Sequence, residues 1–293
     1  MKTIGIDIGA TNTKVALVSA VSGETGAIET FPTGDGASEL IANLRGAAQR
    51  CRGDAPVQGA GVAVAGFLNP ARDRLCYNPN LEWLCGFPLK DALSSALGMS
   101  VTLEVDSNAS CRAEYRFGSG RGSRRFLCLV SGTGLGGGMI IDGAVLRFMG
   151  ECIGDVGHVV VDRDGPECSC GGRGCAEAIV GAQAIVERAQ CGATLRDVIE
   201  NARAGNTPAV DALAEAGRAI GIAAASLAQI FFPDRIALAG GLAEADDLVL
   251  APAIAEFRRT VNNAAREHVM MMKASLGWRA TLIGGALSNE SQI

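Results

Sequence analysis

His158 is one of two histidines in this chain of 293 residues, and Cys168, Cys170 and Cys175 follow it closely. Three thiolates and an imidazole form a ligand set for tetrahedral zinc, an ion that takes sulfur and nitrogen donors without a d-electron preference. Four protein ligands leave no open position, so the expectation is a structural Zn²⁺, not one that activates water. Gly171, Gly172 and Gly174 stand among the cysteines, where a chain wrapping an ion needs residues free to adopt positive φ. Asp155 lies three residues before His158, and Glu177 two after Cys175. Closing the loop on a metal brings both carboxylates towards one place, which is either a substrate pocket or a pair of surface acids.

Other groups suited to chemistry sit at strand ends and turns. Residues 3–19, TIGIDIGATNTKVALVS, read as two strand-forming runs joined by small residues. Gly9, Thr11, Asn12 and Thr13, followed by Lys14, offer donors with little bulk. The turn is either a polyphosphate cradle or an ordinary hairpin loop, and it is not a Walker loop, since GxxxxGK[ST] is absent. Beside a nucleotide, Asp7 would hold Mg²⁺ near the terminal phosphates. Residues 126–146 repeat this logic, with Gly132, Thr133 and Gly134 in the turn SGTGLGGG and a second turn at Asp142 and Gly143. Strand 100–105 runs into Asp106, either an acid placed for catalysis or a helix cap, with a helix expected over Cys111 to Phe117. Gly240 and Gly241 follow a strand at 235–239 and either admit a flat adenine and its ribose or close a tight turn into a helix at Ala243. Asn78 and Asn80, with Trp83 as an apolar wall, either read sugar hydroxyls or form an Asn-Pro turn. Gly66 leaves strand 57–66 at its carboxyl end, where open α/β sheets bind ligands.

The elements that must position these groups alternate between sheet and helix. A strand at 27–32, a helix at 36–51 and the strand at 57–66 complete a β-β-β-α-β start, and a helix at 88–97 ends at Gly98. Beyond the cysteines the chain is Ala-rich and helical: Cys175 to Ala189, Leu195 to Ala204, and a long helix to Phe231 opened by Asn206, Thr207 and Pro208. Residues 251–268 read as one amphipathic helix with His268 at its surface end, and a short helix follows near the C-terminus. The expected domains are a small lobe over 1–108, joined by a returning helix at about 283–293, and a larger lobe over 109–282.

Nearly half of the residues, 48%, are hydrophobic, enough for a sizeable core, and the net charge is −5. No basic run exceeds the pair Arg124 and Arg125, so the balance argues for a small-molecule ligand and against nucleic acid. No apolar stretch reaches the length of a membrane span, and the N-terminus enters a strand without a secretory signal. The cysteines outside the cluster (Cys51, Cys76, Cys85, Cys111, Cys128, Cys152 and Cys191) are scattered, which suits small hydrophobes in or near the core of a cytoplasmic protein.

The pattern GxxGHx9CxCGxxGCxE, with DIGATNTK, SGTGLGGG and the Gly240-Gly241 turn in this order, resembles the ROK family of sugar kinases and sugar-responsive repressors. The resemblance covers Ile4 to about Ala286. It implies the α/β, actin-like (ribonuclease-H-like) fold of two lobes with a ligand cleft between them, and an ATP-dependent, glucokinase-like kinase for a hexose or hexosamine. It further implies that Asp106 is the base acting on the C6 hydroxyl and that Gly66, Asn80, Asp155, His158 and Glu177 bind sugar. His158 would then serve zinc through one ring nitrogen and sugar through the other. Together with the apolar helices, the resemblance also implies a homodimer. Repressors of the family place a DNA-binding winged helix before the first strand, and here that strand starts at residue 4. Two positions depart from the family pattern: Asp155 replaces a glutamate, and Val105 replaces the asparagine before the base. These departures point away from glucose towards an epimer, a deoxy sugar or an amino or N-acetylated sugar, the alternative being a sugar-binding protein that has lost catalysis.

Overall fold

The protein is described by a computed structural model over residues 1–289. Residues 290–293, the end of the expected C-terminal helix, lie outside the described residues. The chain opens with strands Lys2–Ile8 (β1), Asn12–Ser19 (β2) and Thr25–Pro32 (β3), then helix Ala37–Arg52 (α1) and strand Ala60–Val64 (β4). A hairpin of Phe67–Leu68 (β5) and Leu75–Tyr77 (β6) precedes Leu89–Leu97 (α2), Val101–Val105 (β7) and Asp106–Phe117 (α3). There follow Arg125–Ser131 (β8), Leu135–Ile141 (β9), Ala144–Val145 (β10), Ala176–Val180 (α4), Ala182–Ala189 (α5), Leu195–Arg203 (α6) and Thr207–Phe231 (α7). The remainder is Arg235–Gly240 (β11), Asp247–Thr260 (α8), Asn263–His268 (α9), Met270–Lys273 (β12) and Ala280–Leu287 (α10). Among the described residues no helix is long and apolar enough to cross a membrane.

Two compact units result. One comprises Met1–Gly118, Gly143–Gly154 and the chain from Arg279; the other comprises Ser119–Asp142 and Asp155–Trp278. The first unit holds a sheet of order β3-β2-β1-β4-β7, antiparallel through the opening hairpins and parallel from β1 to β7. Its central strand is buried on both faces. Ile4, Ile6 and Ile8 belong to the apolar cluster that also takes in Leu40 and Leu44 of α1, while Gly5 and Gly61, on the other face, let the backbone of α10 lie directly on the sheet. A methyl group at Gly5 would stand 2.6 Å from the Leu282 carbonyl oxygen. The carboxyl ends of β1, β4 and β7 share one edge, and Asp7, Gly66 and Asp106 stand at or just beyond it.

The second unit repeats the plan. An antiparallel β8-β9 hairpin is followed by β11 and β12, both parallel to β8 in the order β9-β8-β11-β12. The long α7 packs closely along α8, because Gly217 and Gly221 admit the backbone of that helix, whose Val249 and Ala253 carbonyls lie where a side chain would stand.

Four helix boundaries differ from the sequence reading. Residues 175–189 form two helices, because Gly181 takes an extended ψ of 141°, where a side chain would meet the Thr133 carbonyl. The expected helix over 251–268 also breaks in two: Val261 is extended, and Asn262 caps α9 by accepting a hydrogen bond from the Ala265 N–H. α3 begins five residues before Cys111, at Asp106. A 3-10 turn occupies Gly241–Ala245, so the helix placed at Ala243 starts at Asp247. Cys76 is exposed in the middle of β6, not buried near the core.

Candidate functional site

In the first unit Asp106 is the first residue of α3 and does not cap it; Val105 holds the cap position without a side-chain hydrogen bond. Its Oδ1 accepts the Ser107 N–H at 2.7 Å. Burial pushes its carboxyl up to about 7; the Ser107 N–H works against that shift and the charge of Asp7 adds to it. A carboxylate poised near neutrality at a strand end can take up a proton at physiological pH. Val105 points into the apolar cluster of the unit and is 3% exposed.

Asp7 lies in register with Lys14 across the β1-β2 hairpin, and Lys14 Nζ donates to its Oδ2 at 2.9 Å. Burial nonetheless raises the Asp7 carboxyl above its ordinary value, because Lys14 offsets only part of the desolvation. The site therefore has an unmet demand for positive charge, which fits a divalent cation held by a hard oxygen donor. Around the turn, Gly9 N–H donates to the Asn12 carbonyl, while Thr11 and Asn12 are exposed. The Thr13 hydroxyl is committed elsewhere: it pairs at 2.9 Å with that of Thr33, which donates to the Gly9 carbonyl. Thr33, at the end of β3, is thus a structural partner of the turn that spacing along the sequence did not reveal. Asn78 is likewise spent on the fold, donating to the Ala65 carbonyl and accepting the Asn80 N–H, whereas Asn80 itself is exposed. At Gly66, with φ of 105°, a side chain would run into the Tyr77 carbonyl of β6.

In the second unit the ligand atoms of His158, Cys168, Cys170 and Cys175 all lie within 4.8 Å of one another. The Cys170 and Cys175 sulfurs are 3.7 Å apart, and His158 Nδ1 is 3.5 Å from the Cys168 sulfur. A tetrahedron with Zn–S bonds of about 2.3 Å has sulfur–sulfur edges of about 3.8 Å, so the spacing fits zinc. Burial, reinforced by the neighbouring thiols, pushes the Cys175 thiol up to about 12. Its thiolate therefore needs a cation to form at neutral pH. The opposite ring atom, His158 Nε2, stands 3.4 Å from Asp155 Oδ2 and 4.0 Å from Glu177 Oε1. One imidazole thus presents Nδ1 to the sulfurs and Nε2 to a partly exposed pair of acids.

Glu177 also reaches the second hairpin turn, where its Oε2 accepts the Leu135 N–H at 3.0 Å. Its carboxylate fills the space that a side chain at Gly134 would need. Gly132, by contrast, faces open space, while the Thr133 carbonyl lies where a side chain at Gly181 would stand. Ser131 links this hairpin to the double-glycine turn: its hydroxyl donates to the Ala239 carbonyl and accepts the Leu242 N–H. Gly240 has φ of 88° and packs onto the Ser131 backbone. Gly240→Ala is expected to destabilise the fold by about 1–3 kcal/mol from backbone strain alone, read as a lower melting temperature.

A pocket of about 400 Å³ opens beside Gly241, lined by Leu195, Ile199 and Arg203 of α6 and by Glu244. A reciprocal capping box between Thr194 and Asp197 fixes the start of α6. Leu195 and Ile199 share a face of α6 by their spacing, but nothing in the sequence links that face to residues 241–244.

Comparison with known proteins extends over the whole chain. The model of the ROK family matches residues 3–290. A glucokinase of Streptomyces coelicolor is 32% identical over 97% of this chain and 96% of its own length. A kanosamine kinase of Amycolatopsis mediterranei is 30% identical, covering 96% of this chain and 93% of its own. The crystal structure of a ROK family glucokinase from Streptomyces griseus in complex with glucose and AMPPNP superposes with a TM-score of 0.88, at 31% identity and 98% coverage of both chains.

Proposed function

The chain belongs to the ROK family and has its actin-like α/β fold, and from that membership we propose that it is an ATP-dependent kinase that phosphorylates a hexose or hexosamine at the C6 hydroxyl. The observation that carries the reading is Asp106: a carboxyl poised near 7 at the carboxyl edge of the parallel strands, with no cation paired to it among the described residues. The glucokinase relative and the glucose- and AMPPNP-bound structure support sugar and ATP as the substrates.

Asp106 accepts the proton of the attacking hydroxyl, and the rest of the catalysis is positioning and charge neutralisation, as phosphoryl transfer requires. Mg²⁺ beside Asp7 would neutralise charge on the transferred phosphoryl group. The turns at Gly9–Lys14 and Gly132–Gly134 present donors to the phosphates, and Gly240 and Gly241 with the adjoining α6 pocket take the adenosine. Asp155, His158 Nε2, Glu177, Gly66 and Asn80 read the sugar. A structural zinc on His158, Cys168, Cys170 and Cys175 would fix the tautomer of His158, so that Nε2 carries a proton to donate to a sugar oxygen. We place the enzyme in the cytoplasm as a homodimer.

The test is a coupled ADP-release assay with Mg-ATP against aldohexoses, ketohexoses, amino sugars and N-acetylhexosamines. Turnover on one sugar is expected; zinc-loaded protein inert towards all of them would leave a sugar-binding protein. Gly132→Ala separates phosphate binding from folding. The added methyl meets nothing within 4 Å, so the melting temperature should hold. The KM for ATP should rise about tenfold, because the methyl intrudes where the phosphates dock.

A further inference from the structure

Beside Asp106 lies a group of charges that the proposed mechanism does not use. Glu104, two residues earlier on β7, is wholly buried. Arg147 grips it with both terminal nitrogens, Nη1 to Oε1 at 2.8 Å and Nη2 to Oε2 at 2.6 Å. Arg112 and Arg72 stand further off, at 3.6 and 3.8 Å. Burial works to raise the Glu104 carboxyl, yet Arg147 and then Arg112 hold it below its ordinary value, so it is charged. The same Oε1 accepts the Val105 N–H at 3.0 Å and the Asn108 amide at 3.1 Å. That amide also donates to the Glu151 carbonyl at 2.6 Å, and Arg147 Nη1 donates to the same oxygen at 3.2 Å.

The residues on both sides of Asp106, Val105 by its backbone and Asn108 by its side chain, therefore hang from one carboxylate that is tied in turn to the segment 147–151. Among the described residues no side chain tethers Asp106, whose Oδ1 accepts the Ser107 N–H. What fixes the backbone from 105 to 108 fixes the carboxylate. A buried ion pair contributes little net stability compared with apolar residues of similar volume, but it defines one geometry, and its fork requires arginine.

We propose that Glu104 and Arg147 are positioning residues for Asp106, holding the β7-α3 junction so that the carboxylate meets the attacking hydroxyl. The proposal rests on the reading of Asp106 as the base. A misplacement on the order of 1 Å is enough to cost about a hundredfold in rate.

The test compares wild type, the apolar pair Glu104→Met/Arg147→Met, Arg147→Lys and Asp106→Asn, using Mg-ATP and the panel sugar with the highest kcat/KM. The apolar pair is expected to melt below wild type, since Arg112 and the Val105 N–H also lose the Glu104 carboxylate. Its kcat should fall about ten- to a hundredfold with both KM values and the pH profile unchanged, because neither residue touches substrate. Arg147→Lys keeps the charge without the fork and should lose about tenfold in kcat. A folded apolar pair with kcat within about twofold of wild type overturns the proposal; if that variant does not fold, Arg147→Lys decides by the same criterion. Should Asp106→Asn itself keep the wild-type rate, the reading of the base fails and takes the proposal with it. Should Asp106→Asn be inert while the Arg147 variants stay fully active, the base stands and the positioning role alone is refuted.

Discussion

Asp106→Asn is expected to lower kcat by about two to four orders of magnitude, the span that a positioned general base contributes, with the KM for ATP little changed. In the wild type, kcat/KM should rise with pH along a limb centred near 7, the value to which burial pushes this carboxyl, and the variant should lack that limb. Stability gives an independent readout. The folded state holds the Asp106 proton up to about pH 7, whereas an exposed aspartate releases it near its ordinary value of 3.8. Between those values the native state binds more protons than the unfolded chain, so the contribution of this residue to stability declines as pH rises and levels off above 7. The asparagine variant, which never ionises, should therefore melt above wild type at pH 8, with the difference closing as pH falls towards 4. Thermal melts at the two pH values measure it. A variant that is inert but shows no pH-dependent gain would place the cost of Asp106 elsewhere than in burial.

Loss of zinc should be the second large effect. Cys175 is buried at the heart of the ligand cluster, and Cys175→Ser should release the ion, lower the melting temperature and reduce kcat/KM by about ten- to a hundredfold. Sugar recognition should suffer more than ATP recognition, because the proposed zinc would bind through Nδ1 of the imidazole whose Nε2 faces Asp155 and Glu177. Metal content by atomic spectroscopy, with kinetics on the same preparation, checks both parts. Zinc-free protein with unchanged kinetics would refute a role for the metal in the site.

The clustering of His158, Cys168, Cys170 and Cys175 is legible in the sequence because these residues fall between positions 158 and 175, close enough for spacing to stand in for geometry. The two hairpins are legible for a similar reason: small residues punctuate strand-forming runs, and the pairings Asp7–Lys14 and Ser131–Leu135 follow directly from the turns. Asn206 also does what its type suggests, accepting the Ala209 N–H at the start of α7. Links between distant positions are what spacing cannot carry. Glu104 meets Arg147 across 43 residues, Ser131 meets Leu242 across 111, and Thr13 meets Thr33 through side chains alone. Helix ends depart from composition where a backbone constraint overrides it. Gly181 breaks an apolar helical run by taking an extended ψ where a side chain would meet the Thr133 carbonyl, and Asp106 belongs to α3 although its type would equally suit a cap.

The glycine seam beneath α10 has a consequence for how the protein is made. Gly5, Gly61, Gly284 and Gly285 let that helix lie against β1, β4 and α3 with backbone meeting backbone, as at Ala109, whose carbonyl abuts Gly284. A nascent chain that has delivered β1 to α3 has therefore not delivered a finished unit: the face of β1 and β4 that α10 covers stays open until residues 280–287 leave the ribosome. The second unit, drawn from chain up to Trp278, is fully synthesised earlier. Synthesis order is thus the reverse of completion order, and the half that carries Asp7 and Asp106 is the last to close.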